Sequence, residues 1–167
     1  TSGTNCTPSP CATGGTIAAN SNRALLIVVS FRANTASIPT AVGATWNGVT
    51  ATPINSYTVA VTGGKTNSIW WFVLVNPTAG AQTLATCWTA AGSLDSVALG
   101  AISYYNVNQL TPTQNFTTNS DVTATSTAPT LTVTSASGNM AVVAFSDDNA
   151  SGFTANAGTL DWKELAL

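Results

Sequence analysis

The chain of 167 residues is 44% hydrophobic, but only 6% of its residues are charged, none is histidine, and the net charge is −2. Without histidine, a Ser–His–Asp or Cys–His catalytic site and a histidine-containing zinc site are excluded, and four scattered cations make no basic patch for a nucleic acid. No apolar run approaches the ~20 residues that cross a bilayer as a helix, so we expect no membrane span.

The first twenty residues are rich in Thr, Ser, Gly and Pro, which predicts an extended N-terminal arm over residues 1–20. Cys6 and Cys11 bracket a turn-forming stretch, 7–10, that contains two prolines. They are either two thiols in a flexible tail or a small disulfide loop, which requires an oxidising compartment. We favour the Cys6–Cys11 disulfide. A first residue that is not methionine fits a processed or trimmed N-terminus.

After the arm, short β-prone segments follow one another to the C-terminus. Asn47-Gly48 favours a type I′ turn, the strongest short signal for a hairpin, and Cys87 lies in an alternating stretch where we expect it to be buried. The predicted strand segments, in chain order, are 23–31, the hairpin 42–54, 57–62, 68–75, 82–89, 96–105, 131–134 and 139–145. Residues 106–128 read as a long polar connection, with at most one short strand near Phe116.

About nine to eleven short strands at regular spacing predict an all-β fold, an antiparallel β-sandwich in a single domain over residues 21–167. Four segments are apolar on both faces, whereas a sandwich strand normally shows one polar face to water. They are 24–31, 69–75, 97–105 and 140–145. Either loops or another copy of the protein must cover their outer faces.

The large aromatic residues have two interpretations. Core or interface packing is their commoner role, and stacking on a sugar is the other. Trp70 and Trp71 must point to opposite faces of a strand, so one of them lies outside the main core. Trp46 beside the hairpin turn and the outward-facing member of that pair are the candidates for a ligand or an interface.

Three further patterns have weaker chemical meaning. Asp147, Asp148 and Asn149 offer oxygen ligands for calcium, although a solvated loop tip is the commoner use of such residues. Asn5, Asn115 and Asn149 each begin an N-glycosylation acceptor pattern. Six acids leave room for a glycosidase pair, yet no local pair is evident, and we expect no enzyme activity and no cofactor.

Four phrases of the sequence together resemble a known domain type. They are Asn-Arg-Ala-Leu-Leu at 22–26, Thr-Trp-Asn-Gly at 45–48, Leu-Val-Asn-Pro-Thr-Ala-Gly at 74–80 and Ala-Ile-Ser-Tyr-Tyr-Asn-Val-Asn-Gln-Leu-Thr-Pro at 101–112. The series resembles β-sandwich domains of bacterial secreted or cell-surface proteins and of phage-related proteins. The resemblance implies a jelly-roll-like fold and an adhesive or structural setting, and it supplies no catalytic residues.

These observations lead to two hypotheses on function. The first is a structural subunit or domain of an extracellular assembly, such as a filament, a surface layer or a virion-surface component, whose partner is another copy of itself. Low charge favours association, and apolar outer faces mark partner sites. The alternative is a carbohydrate-binding or adhesion module that uses exposed aromatic side chains.

Overall fold

The computed structural model describes residues 11–89, 92–120 and 130–146. These residues contain eight β-strands and two 3-10 helices, Thr35–Ser37 and Thr62–Gly64. The strands are β1 Cys11–Ile17, β2 Ala24–Asn34, β3 Ala41–Trp46, β4 Val49–Thr50, β5 Thr52–Val61, β6 Lys65–Val75, β7 Gly80–Thr89 and β8 Leu94–Tyr104.

The strands form two antiparallel sheets. Sheet A has the order β1-β7-β3-β4 and sheet B the order β5-β6-β2-β8. The chain passes from one sheet to the other, so that β1 pairs with β7 in one and β2 pairs with β6 in the other. β3 also pairs with β7, and β2 also pairs with β8, so that each sheet has four strands. The predicted all-β, antiparallel sandwich is confirmed.

The core lies between the sheets and is built from alternate residues of their central strands. Successive side chains of a strand point to opposite faces, so β2 contributes every second residue of its apolar run. The largest fully buried core residues are Ile27, Val29, Phe31 and Phe72. Each such side chain contributes roughly 1.5–3 kcal/mol through burial, which makes this layer the main source of stability.

The predicted hairpin is present. Trp46 pairs with Val49 across the two-residue loop, and Asn47 and Gly48 have φ angles of 50° and 75°. A type I′ turn needs positive φ at both positions, which Asn and Gly adopt most readily. The dipeptide therefore sets the register between β3 and β4.

Part of the predicted N-terminal arm belongs to the sandwich. Residues 11–17 form β1, an edge strand of sheet A that pairs with β7 from Cys11↔Thr86 to Ile17↔Gly80. Ile17 is buried, and a Cβ added to Gly15 would lie 3.2 Å from the Trp46 ring. Glycine here lets the backbone lie against the indole, a contact that Thr/Gly-rich composition does not reveal. Residues 1–10 of the arm, with Cys6, lie outside the described residues.

Two predicted strands near the C-terminus, 131–134 and 139–145, are wrong as strands. Both segments are described, and neither belongs to a sheet. A hydrogen bond between Ser30 Oγ and Ser146 Oγ (3.2 Å) ties the second segment to the outer face of sheet B, and not to its edge strands β5 and β8. Ladder hydrogen bonds lie in the plane of a sheet, so a segment placed on a face buries side chains without gaining a ladder.

Candidate interaction surface

The outer face of sheet B carries a second apolar layer. Leu26 and Val28 of β2 and Val73 of β6 point away from the core and are nevertheless less than 9% exposed. Trp71, which pairs with Val28, is half-buried on the same face. These strands are apolar on both faces, as the sequence indicates, and their outer side chains are covered.

The chain's own C-terminal part contacts this face. The Tyr57 hydroxyl donates a hydrogen bond to Ser120 Oγ at 3.0 Å, and the Ser30 hydroxyl donates to Ser146 Oγ at 3.2 Å. Ser30 belongs to a central strand and Tyr57 to an edge strand of sheet B. Of the two covers that the sequence left open, the chain itself therefore supplies at least part.

Asparagine side chains hold two stretches of this cover together. Asn115 Nδ2 donates to the carbonyl oxygen of Thr134 at 3.1 Å, and Asn119 Nδ2 donates to that of Thr130 at 2.8 Å. Two side-chain amides, and not a backbone ladder, thus connect residues 115–119 with residues 130–134. Asn115 is exposed, so its predicted role as a glycan acceptor stays open; Nδ2 carries two protons, and a glycan would replace one of them.

A row of apolar side chains on this cover faces solvent. We call the four residues the outer strip: Met140, Val142, Val143 and Phe145, which are 68%, 37%, 43% and 53% exposed. Among the described residues, the backbone of 140–144 makes no backbone hydrogen bond. The segment therefore presents apolar side chains and, from 140 to 144, backbone groups that do not pair with the backbone of any described residue. The sequence marked 140–145 as apolar on both faces but did not reveal its exposure.

The charged side chains among the described residues belong to β2, β6, β8 and the loop before β2. Lys65 Nζ and Arg32 Nε lie 2.8 Å and 3.9 Å from Asp95 Oδ2, at one end of sheet B. Arg23 donates to the carbonyl oxygen of Pro77 and to Asn76 Oδ1, both at 3.1 Å, and so ties two loops together. These charged groups contact one another or oxygen atoms of loops, and residues 139–146 contain no charged residue.

The tryptophan candidates are sorted by burial. Trp46 is 2% exposed and its Nε1 donates to the Thr78 carbonyl oxygen at 2.8 Å, so the expectation that it offers a free ring to a ligand is wrong. It turns inward because its β3 neighbours Val42 and Ala44 share the core face. Trp70 packs against the core and Trp71 lies on the outer face of sheet B, as alternation predicts.

A narrow cleft of about 170 Å³ opens between the edge strands β1 and β8. Its lining includes Ile17, Leu25, Trp46, Leu84 and Leu99, together with glycine, alanine, threonine and serine residues. The cleft has no titratable group, so its lining offers no general acid or base. Of the residues predicted as a site, Trp46 is the one that lines it.

Several predicted site residues lie outside the described residues. They are Asn5, Cys6, Asp147, Asp148 and Asn149, and their proposed disulfide, calcium and glycan roles stay predictions. Within residues 11–89, 92–120 and 130–146, no group of three or more His, Cys, Asp or Glu side chains is placed to hold a metal ion. The same residues contain no helix with the length and hydropathy to cross a bilayer.

We compared the chain with family models, curated proteins and solved structures. No family model, no curated protein and no solved structure matches the chain.

Proposed function

We propose that this chain is a non-catalytic structural subunit or domain of an extracellular assembly, and that copies associate through the outer strip. The observation that carries the proposal is the strip itself: four exposed apolar side chains on a segment whose backbone from 140 to 144 makes no backbone hydrogen bond within the described residues. An extended segment of this kind gains most by pairing with another strand.

The energetic argument combines side chains with backbone. Val and Phe are favoured in strands because they pack well on a pleated surface, and burying one such side chain at an interface contributes roughly 1.5–3 kcal/mol. A strand that adds to an exposed edge also satisfies backbone donors and acceptors, and alternate side chains enter the interface. Two copies of residues 140–145 meet both conditions for each other.

Electrostatics do not oppose this association. Exposed edges of soluble proteins are usually protected by lysine, other charges or proline, and residues 139–146 contain none of these. A net charge of only −2 on 167 residues adds little long-range repulsion. Residues 139–146 thus lack the charged residues and prolines that usually prevent an exposed strand from pairing with another copy.

The extracellular setting is supported by cysteine chemistry. The sequence favours a disulfide between Cys6 and Cys11, and disulfides persist in secreted and periplasmic proteins but are rare in the cytosol. The phrases at 22–26, 45–48, 74–80 and 101–112, which resemble bacterial surface and phage-related sandwich domains, favour the same setting. A filament, a surface layer or a virion surface would each use such a module.

Sedimentation of matched variants tests the proposal. Wild-type chain is compared with Val142→Lys/Val143→Lys, and with a control, Thr132→Lys/Thr134→Lys, which adds the same charge at exposed polar positions of the same stretch. We expect concentration-dependent association of wild type and control, weakened at least about 10-fold in the valine variant, because one of the two adjacent valines faces the interface and its burial is lost. Wild type that stays monomeric at high concentration, or equal loss in both variants, overturns the proposal.

A further inference from the structure

Leu110 is the most exposed large apolar side chain of the described residues, at 93%. It lies in the loop that follows β8, and Tyr105 at the start of this loop is 62% exposed. A single exposed leucine on a mobile loop needs no explanation. The meaning of Leu110 therefore depends on how firmly its loop is held.

The start of this loop is attached to the loop before β2. The backbone N–H of Asn106 donates to the carbonyl oxygen of Ser21 at 3.2 Å, and that of Val107 donates to the carbonyl oxygen of Asn22 at 2.9 Å. These bonds join residues more than eighty positions apart in the sequence. The loop after β8 is thus part of the sandwich end and is not an independent tail.

Two amide side chains hold the part of the loop around Leu110. Gln109 Nε2 donates to the carbonyl oxygen of Arg23 at 3.2 Å. Asn108 Oδ1 accepts from the backbone N–H groups of Leu110 and Thr111, at 2.9 Å and 3.2 Å, which is the local turn that Asn side chains favour. The leucine is therefore presented on an ordered backbone, and ordering that is already complete lowers the cost of binding.

The cleft between β1 and β8 is a gap that short side chains leave between the sheets. Thr13 lies opposite Leu84 and Ser103 lies opposite Leu25 in their ladders, and both leucines belong to the core. Residues directly opposite each other share a face of the sheet, so Thr13 and Ser103 face inward. Both are nevertheless exposed, because the space between them is open to solvent.

The cleft has the size and the lining to take up one branched apolar side chain. Its volume is about 170 Å³, and an apolar cavity of about 150 Å³ takes up benzene, which has more carbon atoms than the side chain of leucine. Trp46 and Leu99 contribute apolar lining, and Thr13 and Ser103 contribute hydroxyl groups. An apolar centre with a polar rim is the usual anatomy of a protein–protein contact.

We infer that Leu110 of one copy enters the cleft between β1 and β8 of another copy. Both surfaces belong to this chain, and residues 11–22 and 96–120, which supply them, contain no charged residue. No ion therefore loses its hydration when the two surfaces meet. The inference deepens the proposed self-association by adding a second contact, and it rests on that proposal for the identity of the partner.

The contact has a consequence for the form of the assembly. Leu110 and the cleft are different surfaces, so the two sides of the contact are not the same patch. Contacts of this type build rings or open chains of copies, according to whether the rotation between neighbours closes. Together with the outer strip, each copy would have the two separate contacts that a filament or a layer requires.

Sedimentation equilibrium tests the role of Leu110 in the Val142→Lys/Val143→Lys chain, in which the outer strip is disabled. We expect Leu110→Ser to weaken the remaining association at least about 10-fold, because the burial of one leucine is lost. Val49→Ser is the matched control, since Val49 is 50% exposed on the hairpin. Equal effects of the two serine substitutions would overturn the inference.

A filled cleft tests the other side of the contact. Thr13→Phe places a ring in the cleft and should weaken association as much as Leu110→Ser. Ala12→Phe places the same ring on the opposite face of β1 and should leave association unchanged. Urea midpoints report whether each variant is folded, and Ser103→Phe fills the cleft from β8 if Thr13→Phe unfolds. Unchanged association of a folded, filled variant would overturn the inference.

Mixing the two kinds of variant gives the sharpest result. Leu110→Ser keeps an open cleft, and Thr13→Phe keeps its leucine. We therefore expect an equimolar mixture to form pairs that neither variant forms alone, and a mixture without such pairs would overturn the inference.

The same measurements separate the two proposals. If the lysine variant associates as strongly as wild type and Leu110→Ser abolishes this association, the outer strip fails and the contact of Leu110 stands. If the lysine variant is monomeric wherever wild type associates, the contact of Leu110 fails and the outer strip stands.

Discussion

Strand β2 and the segment 139–145 have the same sequence character and opposite surroundings. Both are short apolar runs with no polar face. β2 lies between β6 and β8, with ladder partners on both sides, and its outer face is covered. The segment 139–145 lies against the outer face of the same sheet, has no ladder partner in the part of the chain that the structure describes, and exposes four of its apolar side chains. A segment that is apolar on both faces is thus predicted to be buried, but the pattern does not show which part of the protein will cover it.

Phenylalanine truncation on the two sides of sheet B should give the largest contrast. Phe72 is 1% exposed in the core and Phe145 is 53% exposed on the outer strip. Phe72→Ala should lower the free energy of unfolding by about 3–5 kcal/mol, whereas Phe145→Ala should change it by less than about 1 kcal/mol. Urea unfolding of dilute protein measures both. Equal losses would mean that the outer strip is part of the stable core.

Adjacent glycines of β1 test how closely the N-terminal strand packs. An alanine Cβ at Gly15 would meet the Trp46 ring at 3.2 Å, and one at Gly14 would meet nothing within 4 Å. Gly15→Ala should therefore destabilise by about 1–3 kcal/mol through overpacking. Gly14→Ala is the matched control and should be neutral or slightly stabilising, since glycine weakens a strand. Thermal unfolding measures the midpoint of both variants, and equal midpoints would show that β1 does not pack on Trp46.

Asn67 places a polar side chain on the covered outer face of sheet B. It is 4% exposed, and its Oδ1 is buried without a hydrogen-bond partner among the described residues. Because an unsatisfied buried acceptor costs about 1–3 kcal/mol, Asn67→Leu should raise the free energy of unfolding by about 1 kcal/mol. Chemical denaturation tests this. Asn55→Leu is the control, because Asn55 is a half-buried residue of β5 on the same outer face of sheet B. A loss of stability in Asn67→Leu would mean that the amide has a partner in solution.

The smallest effect is expected at the ion pair on the rim of sheet B. Lys65 Nζ lies 2.8 Å from Asp95 Oδ2, but both side chains are partly exposed, at 28% and 37%. Exposed pairs of this kind contribute about 0–1 kcal/mol and weaken with salt, so Asp95→Asn should change the unfolding free energy by no more than that. Titrating sodium chloride in the denaturation assay checks it. A larger loss that salt does not reduce would reveal a buried role for Asp95.

Features set by local chemistry could be predicted from the sequence. The Asn47-Gly48 turn follows from backbone preference, and the opposed faces of Trp70 and Trp71 follow from strand alternation. Features that depend on distant partners could not be predicted. The inward position of Trp46 depends on the close approach of Gly15. The exposure of the outer strip depends on the contact of residues 139–146 with the face of sheet B and not with an edge strand. Neither condition leaves a signal within its own segment.

Hydrogen exchange of the backbone amides of residues 140–144 is the decisive measurement for the proposed self-association. These amides make no backbone hydrogen bond within the described chain, so in dilute monomer they should exchange rapidly. If copies pair through the outer strip, exchange should slow markedly as protein concentration rises, while the core strand β2 stays slow throughout. Rapid exchange of these amides at every concentration would contradict pairing through the outer strip.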